Sequence, residues 1–306
     1  MHIYLPIAQL SINWLVLIGL GLAVGMLSGM LGVSGGFITT PLLIFYGIPA
    51  AVAVASQASP VAAASFVGAM RQGGRKSVDY KMGLVLLAGG LAGSAIGVWI
   101  FKMLQGTGQI DFTVKLSYLI LLGSIGSMML TESVQTIRAA RRGENVSAHK
   151  PGQHTWIHNL PFKMRFRQSR LYISAIPVVM LGFVVGVMTA ILGTGGAFIL
   201  IPAKVYLLRM RTNLAIGTSQ FQMFIVACMA TMMHAVIDQT VDIMLAFILV
   251  MGGVVGAQIG STLGTKLKSE ELRTLLAVLI LIIAARLLWS LTAPPATIYS
   301  LSTAVS

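Results

Sequence analysis

The sequence predicts an all-α membrane protein built from two inverted repeats. Each repeat should hold about five hydrophobic helical segments, one of them a Gly-rich broken or short helix. Three observations predict this. The chain is too apolar for water, it carries one pattern twice, and its positive charge gathers on one side of the segments.

Of 306 residues, 56% are hydrophobic and only 9% are charged. A soluble domain carries about 25% charged residues, so the solvent for this chain is lipid. Its apolar runs approach the roughly 20 residues that a spanning helix needs. Helices satisfy their own backbone groups in lipid, whereas barrel strands would alternate polar and apolar residues, which these segments do not. Residues 1–11 contain no Lys or Arg, so no cleavable signal is expected. One cysteine, Cys228, excludes an internal disulfide and reads as a small buried thiol. The net charge of +13 does not imply nucleic acid, because the cations sit in short loops at segment ends.

Residues 25–41 align without gaps on residues 186–202, with seven of 17 positions identical. Farther on, Ser56-Gln57 meets Ser219-Gln220 and Val78-Asp79 meets Val241-Asp242. A duplicated hydrophobic unit interrupted by glycines is the mark of a transporter built from repeats. The expected organisation is a first transmembrane repeat over 1–135, a basic cytoplasmic linker over 136–171, and a second repeat over 172–306. Segments fall at about 12–31, 36–47, 50–70, 82–103 and 113–135, then 172–192, 196–208, 213–235, 243–265 and 271–291.

With the linker in the cytoplasm, only Lys102, Lys115 and Arg286 of the 21 Lys and Arg residues fall outside. That is the positive-inside pattern. Five segments is an odd number, so the second repeat enters the membrane upside down and both termini lie outside. Gly21, Gly25 and Gly29, with Gly89, Gly93 and Gly97 and Gly252, Gly256 and Gly260, recur every four residues. They form helix faces that admit close backbone approach. The linker ends in FKMRFR, residues 162–167, expected at the inner headgroup surface against anionic lipid. His149, His154 and His158 read as solvated loop residues, and no metal site is expected, since no Cys or acidic cluster joins them.

The candidate site lies at the two breaks. Gly32-Val33-Ser34-Gly35-Gly36 and Gly193-Thr194-Gly195-Gly196 each separate a long apolar run from a short one. A helix restarting after such a break offers unpaired amides and a positive dipole end to an anion. A tight turn between packed helices is the plainer reading, but its occurrence in both halves favours substrate binding. Gln57 and Gln220 either donate to an oxyanion or join helices. Asp79 and Asp242 open helices after short polar loops, where Asp caps orphan amides; proton coupling is the sharper alternative. Lys204 is expected to snorkel toward the inner surface rather than reach the anion.

The segment GMLGVSGGF, the proline a few residues on, the later Val-Asp and the repetition of all three resemble the sulfite exporter TauE/SafE family. The resemblance covers nearly the whole chain. It implies a helical, bacterial inner-membrane transporter of sulfur-containing anions such as sulfite or organosulfonates, without cofactors. It places function on Ser34, Gly35 and Gly36 and on Thr194, Gly195 and Gly196. Ala197 replaces Gly36 in the second repeat, so the halves are not equivalent there. A passive anion channel and an importer of a different oxyanion remain alternatives. A membrane enzyme is disfavoured, because the eight Asp and Glu lie mostly near segment ends.

Overall fold

The computed structural model describes residues 2–31, 35–74, 77–141, 163–166, 168–169, 171–208, 210–263 and 269–292. The first half contains β1 (His2–Leu5), β2 (Leu10–Asn13), α1 (Trp14–Leu31), α2 (Gly36–Phe45), α3 (Ala50–Gly74), α4 (Tyr80–Gly106) and α5 (Ile110–Arg141). The second half contains β3 (Lys163–Phe166), β4 (Leu171–Ser174), α6 (Ala175–Leu192), α7 (Ala197–Pro202), α8 (Thr212–Met233), α9 (Ile243–Leu263) and α10 (Ser269–Thr292). A π-helical turn continues α7 over Ala203–Leu207, and another continues α8 over His234–Asp238. Among the described residues, seven helices are long and apolar enough to cross a membrane, and α1 and α2 are shorter apolar helices. The protein is an all-α, multi-pass membrane protein.

The small-residue faces set the packing. α1 lies along α9, and α4 lies along α6. A Cβ at Gly25 would strike the carbonyl of Gly253, and one at Gly256 would strike that of Leu22. In the other pair, a Cβ at Gly93 would strike Phe183 and one at Gly186 would strike Gly90, again at carbonyl oxygens. Lipid tails are as apolar as leucine, so such contacts come from shape and dispersion. The partnership is reciprocal: the first helix of each half packs on the fourth helix of the other. α3 meets α8 and α5 meets α10 across the same relation. α3 is the innermost of the long helices, with 67% of its most apolar stretch buried.

Two departures from the sequence reading concern the ends. α5 runs on to Arg141, past the expected boundary at 135. Gln135-Thr-Ile-Arg-Ala-Ala-Arg141 is mostly good helix formers, and nothing in it forces a stop. Second, an antiparallel hairpin precedes the first helix of each half, β1 with β2 and β3 with β4. Part of the FKMRFR stretch is thus β3, with Phe166 fully buried; Phe162 and Arg167 lie outside the described residues, as do 142–162. The hairpins dock crosswise. Leu5 and Ile12 of the first pack with Leu245 and Leu249 of α9, and Phe166 and Ile173 of the second pack with Met82 and Leu86 of α4.

Candidate functional site

The two breaks come together. α2 starts at Gly36, and the carbonyl of Gly35 accepts from the amides of Ile38 and Thr39 at 3.0 and 3.1 Å. The amides of Gly36 and Phe37 therefore begin the helix without intrahelical partners. In the second half, Gly193, Gly195 and Gly196 have φ of +64°, +69° and +56°. This left-handed region is steeply unfavourable for other residues, which explains why the break is written in glycine. α7 restarts there, with the Gly196 carbonyl accepting from Leu200 and Ile199 at 2.9 and 3.1 Å. A Cβ on Gly36 would lie 2.8 Å from the Gly193 carbonyl oxygen and 3.0 Å from that of Thr194. The repeat partners Phe37 and Phe198 stack beside this contact, ring centres 4.8 Å apart.

Around the first break lies a small, half-open pocket, lined among others by Ser28, Gly35, Gly36, Thr39 and Gln57. Gly35, Gly36 and Gln57 are thus brought to one place. Gln57 is 3% exposed, and its Oε1 has no hydrogen-bond partner. Ser34 lies outside the described residues. The second break does not line this pocket. Thr194, Gly195 and Gly196 are all buried, and the Thr194 hydroxyl accepts from the Gly196 amide at 3.3 Å, so one amide of that break is already engaged. Gln220 stands apart from Gln57, packed across the α3–α8 contact with its Cδ 2.9 Å from where a Cβ on Gly68 would be. Gln222 was passed over in the sequence reading. Its Nε2 donates to the Leu86 carbonyl at 3.4 Å, while its Oε1 is buried without a partner. A glutamine in an apolar helix was the available signal, but the repeat alignment directed attention to position 220.

Asp79 and Asp242 occupy equivalent places. Asp79 caps α4 by accepting from the Met82 amide at 3.2 Å, and Asp242 caps α9 by accepting from the Leu245 amide at 3.1 Å. Their second oxygens hold the hairpins crosswise. Asp79 accepts from the amide and hydroxyl of Ser169, at 3.0 and 2.6 Å, and Asp242 accepts from the Ile7 amide at 3.1 Å. Their own amides donate to hydroxyls on the opposite half, Thr218 at 3.0 Å and Ser56 at 2.9 Å. Each aspartate is a three-way joint between a loop, a helix and the other half.

Lys204 corrects the sequence reading. It does not snorkel: it is 0% exposed, and its Nζ donates to the Ser219 hydroxyl at 3.0 Å. The π turn that begins at Ala203 carries it on an apolar segment buried against α8. His234 and Asp238 lie on the π turn after α8 with buried side chains. Among the described residues no three His, Cys, Asp or Glu side chains gather as a metal site requires.

Comparison with known proteins accords with this architecture. The chain is 22% identical over 285 residues to the "Probable membrane transporter protein YunE" of Bacillus subtilis, covering 90% of this chain and 98% of that protein. It is 24% identical over 272 residues to the "Probable membrane transporter protein YjnA" of the same organism, covering 88% and 97%. A "Probable membrane transporter protein" of Xylella fastidiosa is 25% identical over 241 residues, covering 78% and 80%. No solved structure matches. The family model "Sulfite exporter TauE/SafE" matches residues 17–287, a span that holds both breaks, both aspartate joints and every helix from α1 to α9 nearly whole, and the chain belongs to that family.

Proposed function

We propose that this membrane transporter moves small sulfur-containing anions, such as sulfite or an organosulfonate, and that it works as an exporter in the bacterial inner membrane. The observation that carries the reading is the pocket at the first break. It unites a helix N-terminus, the hydroxyls of Ser28 and Thr39 and the amide of Gln57, with no carboxylate in its lining. The amides that open α2 and the positive end of its dipole favour an anion. A half-turn of the Gln57 amide presents its Nε2 donor instead of the unpartnered Oε1. The second break, Thr194-Gly195-Gly196, backs the pocket through the Gly36 contact.

The charge pattern gives the orientation. Residues 136–171 and most of the Lys and Arg face the cytoplasm and its anionic lipid, both termini face outward, and the repeats are inverted. An anion leaving a negative cell interior gains about 2.3 kcal/mol per charge per 100 mV, which suits export.

Proteoliposome flux of sulfite, thiosulfate, sulfate and methanesulfonate tests the substrate. Anion flux without Na+ or K+ flux is expected, voltage-dependent for the dianions, and Na+ or K+ flux or silence toward every anion would overturn the reading. Single cysteines at Ser11, Ser147 and Ser302 in a Cys228→Ala background test the orientation. Only the first and last should label from outside.

A further inference from the structure

Both nitrogens of the His234 ring face acceptors. Nε2 lies 3.0 Å from the carbonyl oxygen of Ala190, and Nδ1 lies 2.7 Å from Oδ2 of Asp238. A carbonyl can only accept, so Nε2 carries a hydrogen. The short Nδ1–Oδ2 contact then needs a second proton, whether it resides on the ring or on the carboxyl. Without it, a nitrogen lone pair would face a carboxylate with both side chains out of water, at 1% and 0% exposure. The pair is therefore neutral with that proton and singly negative without it.

Its position links this charge to the second break. Ala190 belongs to the last turn of α6, three residues before Gly193. Phe101 of α4 closes the other side of the ring, edge-on with centres 4.7 Å apart. The Oδ1 of Asp238 is buried without a partner, so its carboxylate lacks the support given to Asp79 and Asp242. Among the described residues, the other ionisable groups around the pair do not supply a counter-charge. α6 and α9 carry none, and α8 carries only Cys228. On α4, Lys102 is exposed, while Tyr80 and Lys81 sit at the opposite end. Tyr118 of α5 donates its hydroxyl to Leu192, and the Asp242 carboxylate is held by the amides of Ile7 and Leu245. The first half has Arg71 and Arg75 at the equivalent positions, so the pair belongs to the second half alone.

We propose that His234 and Asp238 form the proton site that couples transport, resting on the anion reading above. Loss of the proton leaves a buried negative charge beside the second break and removes the Nδ1–Oδ2 bond within the π turn. The charge disfavours an anion in the pocket across the Gly36–Gly193 contact. By linkage, a bound anion strengthens the pair's hold on its proton to the same degree, so anion and proton occupy the transporter together, and a dianion carried with one proton keeps a net charge of −1 and still leaves along the membrane potential.

The test uses the full chain in proteoliposomes with methanesulfonate, whose charge does not titrate near neutral pH. Two readings are taken, anion exchange at equal concentrations and net flux driven by an imposed pH gradient. Asp238→Asn keeps the geometry with one proton fewer, since the new amide donates to Nδ1 while Nε2 still donates to Ala190. Its exchange should become independent of pH, and its gradient-driven flux should be lost. His234→Gln should behave the same way and carries the test if the first variant fails to elute as a single species. Asp79→Asn should keep its pH response. Gradient-driven flux that survives in both His234→Gln and Asp238→Asn overturns the proton site and leaves the anion reading standing. Absence of methanesulfonate and sulfite exchange in the unaltered protein overturns the anion reading and this inference with it.

Discussion

The two breaks begin from nearly the same sequence and end in different states. The first opens into a pocket with Gln57 at its wall. The second is closed, with three glycines in left-handed geometry and an amide already engaged by Thr194, and its half carries a buried lysine and a His–Asp pair that the first half lacks. What both halves retain is scaffold: the glycine faces, the aspartate joints and the docking hairpins. What differs is chemistry. The two halves share a frame, and the residues proposed to serve transport are those that break its symmetry.

The largest expected effect comes from filling the breaks. Gly196→Val places a β-branched residue at φ +56° and drives its Cβ into Val185. The left-handed backbone costs about 1–2 kcal/mol, and overpacking adds about 1–3 kcal/mol. Gly35 has an ordinary φ of −73°, and its Cβ would meet the Val24 side chain at 2.6 Å. Gly35→Val should therefore lose anion flux with the smaller loss of stability, since it carries overpacking alone, whereas Gly196→Val adds backbone strain and should melt lower still. Thermal unfolding in detergent beside proteoliposome flux separates the two. Equal melting of both variants would dissolve the contrast between an open and a closed break.

A smaller effect is expected at the glutamines. Gln57 lines the pocket and Gln220 packs between α3 and α8. Losing a hydrogen bond to a charged ligand costs about 1.5–3 kcal/mol, a weakening of about 10- to 150-fold. Gln57→Ala should show that loss in sulfite affinity. Gln220→Ala should instead lower the melting temperature with affinity kept. A matched loss of affinity in both would restore the equivalence that their sequence positions suggest.

The ten segments, the breaks and the aspartate caps were legible in the sequence because each leaves a local or periodic sign. Apolar length marks a span, glycines mark an interruption, and Val-Asp before an apolar run marks a helix start. The hairpins left no such sign. Their strands are four residues long, and the turn of the first is Pro6-Ile7-Ala8-Gln9, with Gln9 at φ +52° where Asn-Gly would have announced it. Lys204 was misread because charge counting treats every cation as a loop residue, while its burial depends on Ser219, 15 positions away. His234 and Asp238 have the i, i+4 spacing of one helix face, but the expected segment ends at about 235, between them, and the π turn that continues it packs against α6 and α4. The meeting of the two breaks is a matter of packing that no single segment encodes.

The smallest effect tests how far the scaffold is symmetric. Asp79 accepts three hydrogen bonds, two of them from Ser169, and Asp242 accepts two. Removing a helix cap costs about 0.5–2 kcal/mol. Asp79→Ala and Asp242→Ala should both fall in that range, because each loses its cap and its hold on the opposite hairpin. The Asp79 variant should be the less stable, since it also strands the Ser169 hydroxyl, whereas the Ile7 amide lies in a turn that water can reach. Guanidinium or thermal unfolding of the two variants side by side measures the difference. Should Asp242→Ala prove the more damaging, the first hairpin would be the more important of the two, and the cross-docking would have to be read as unequal from the start.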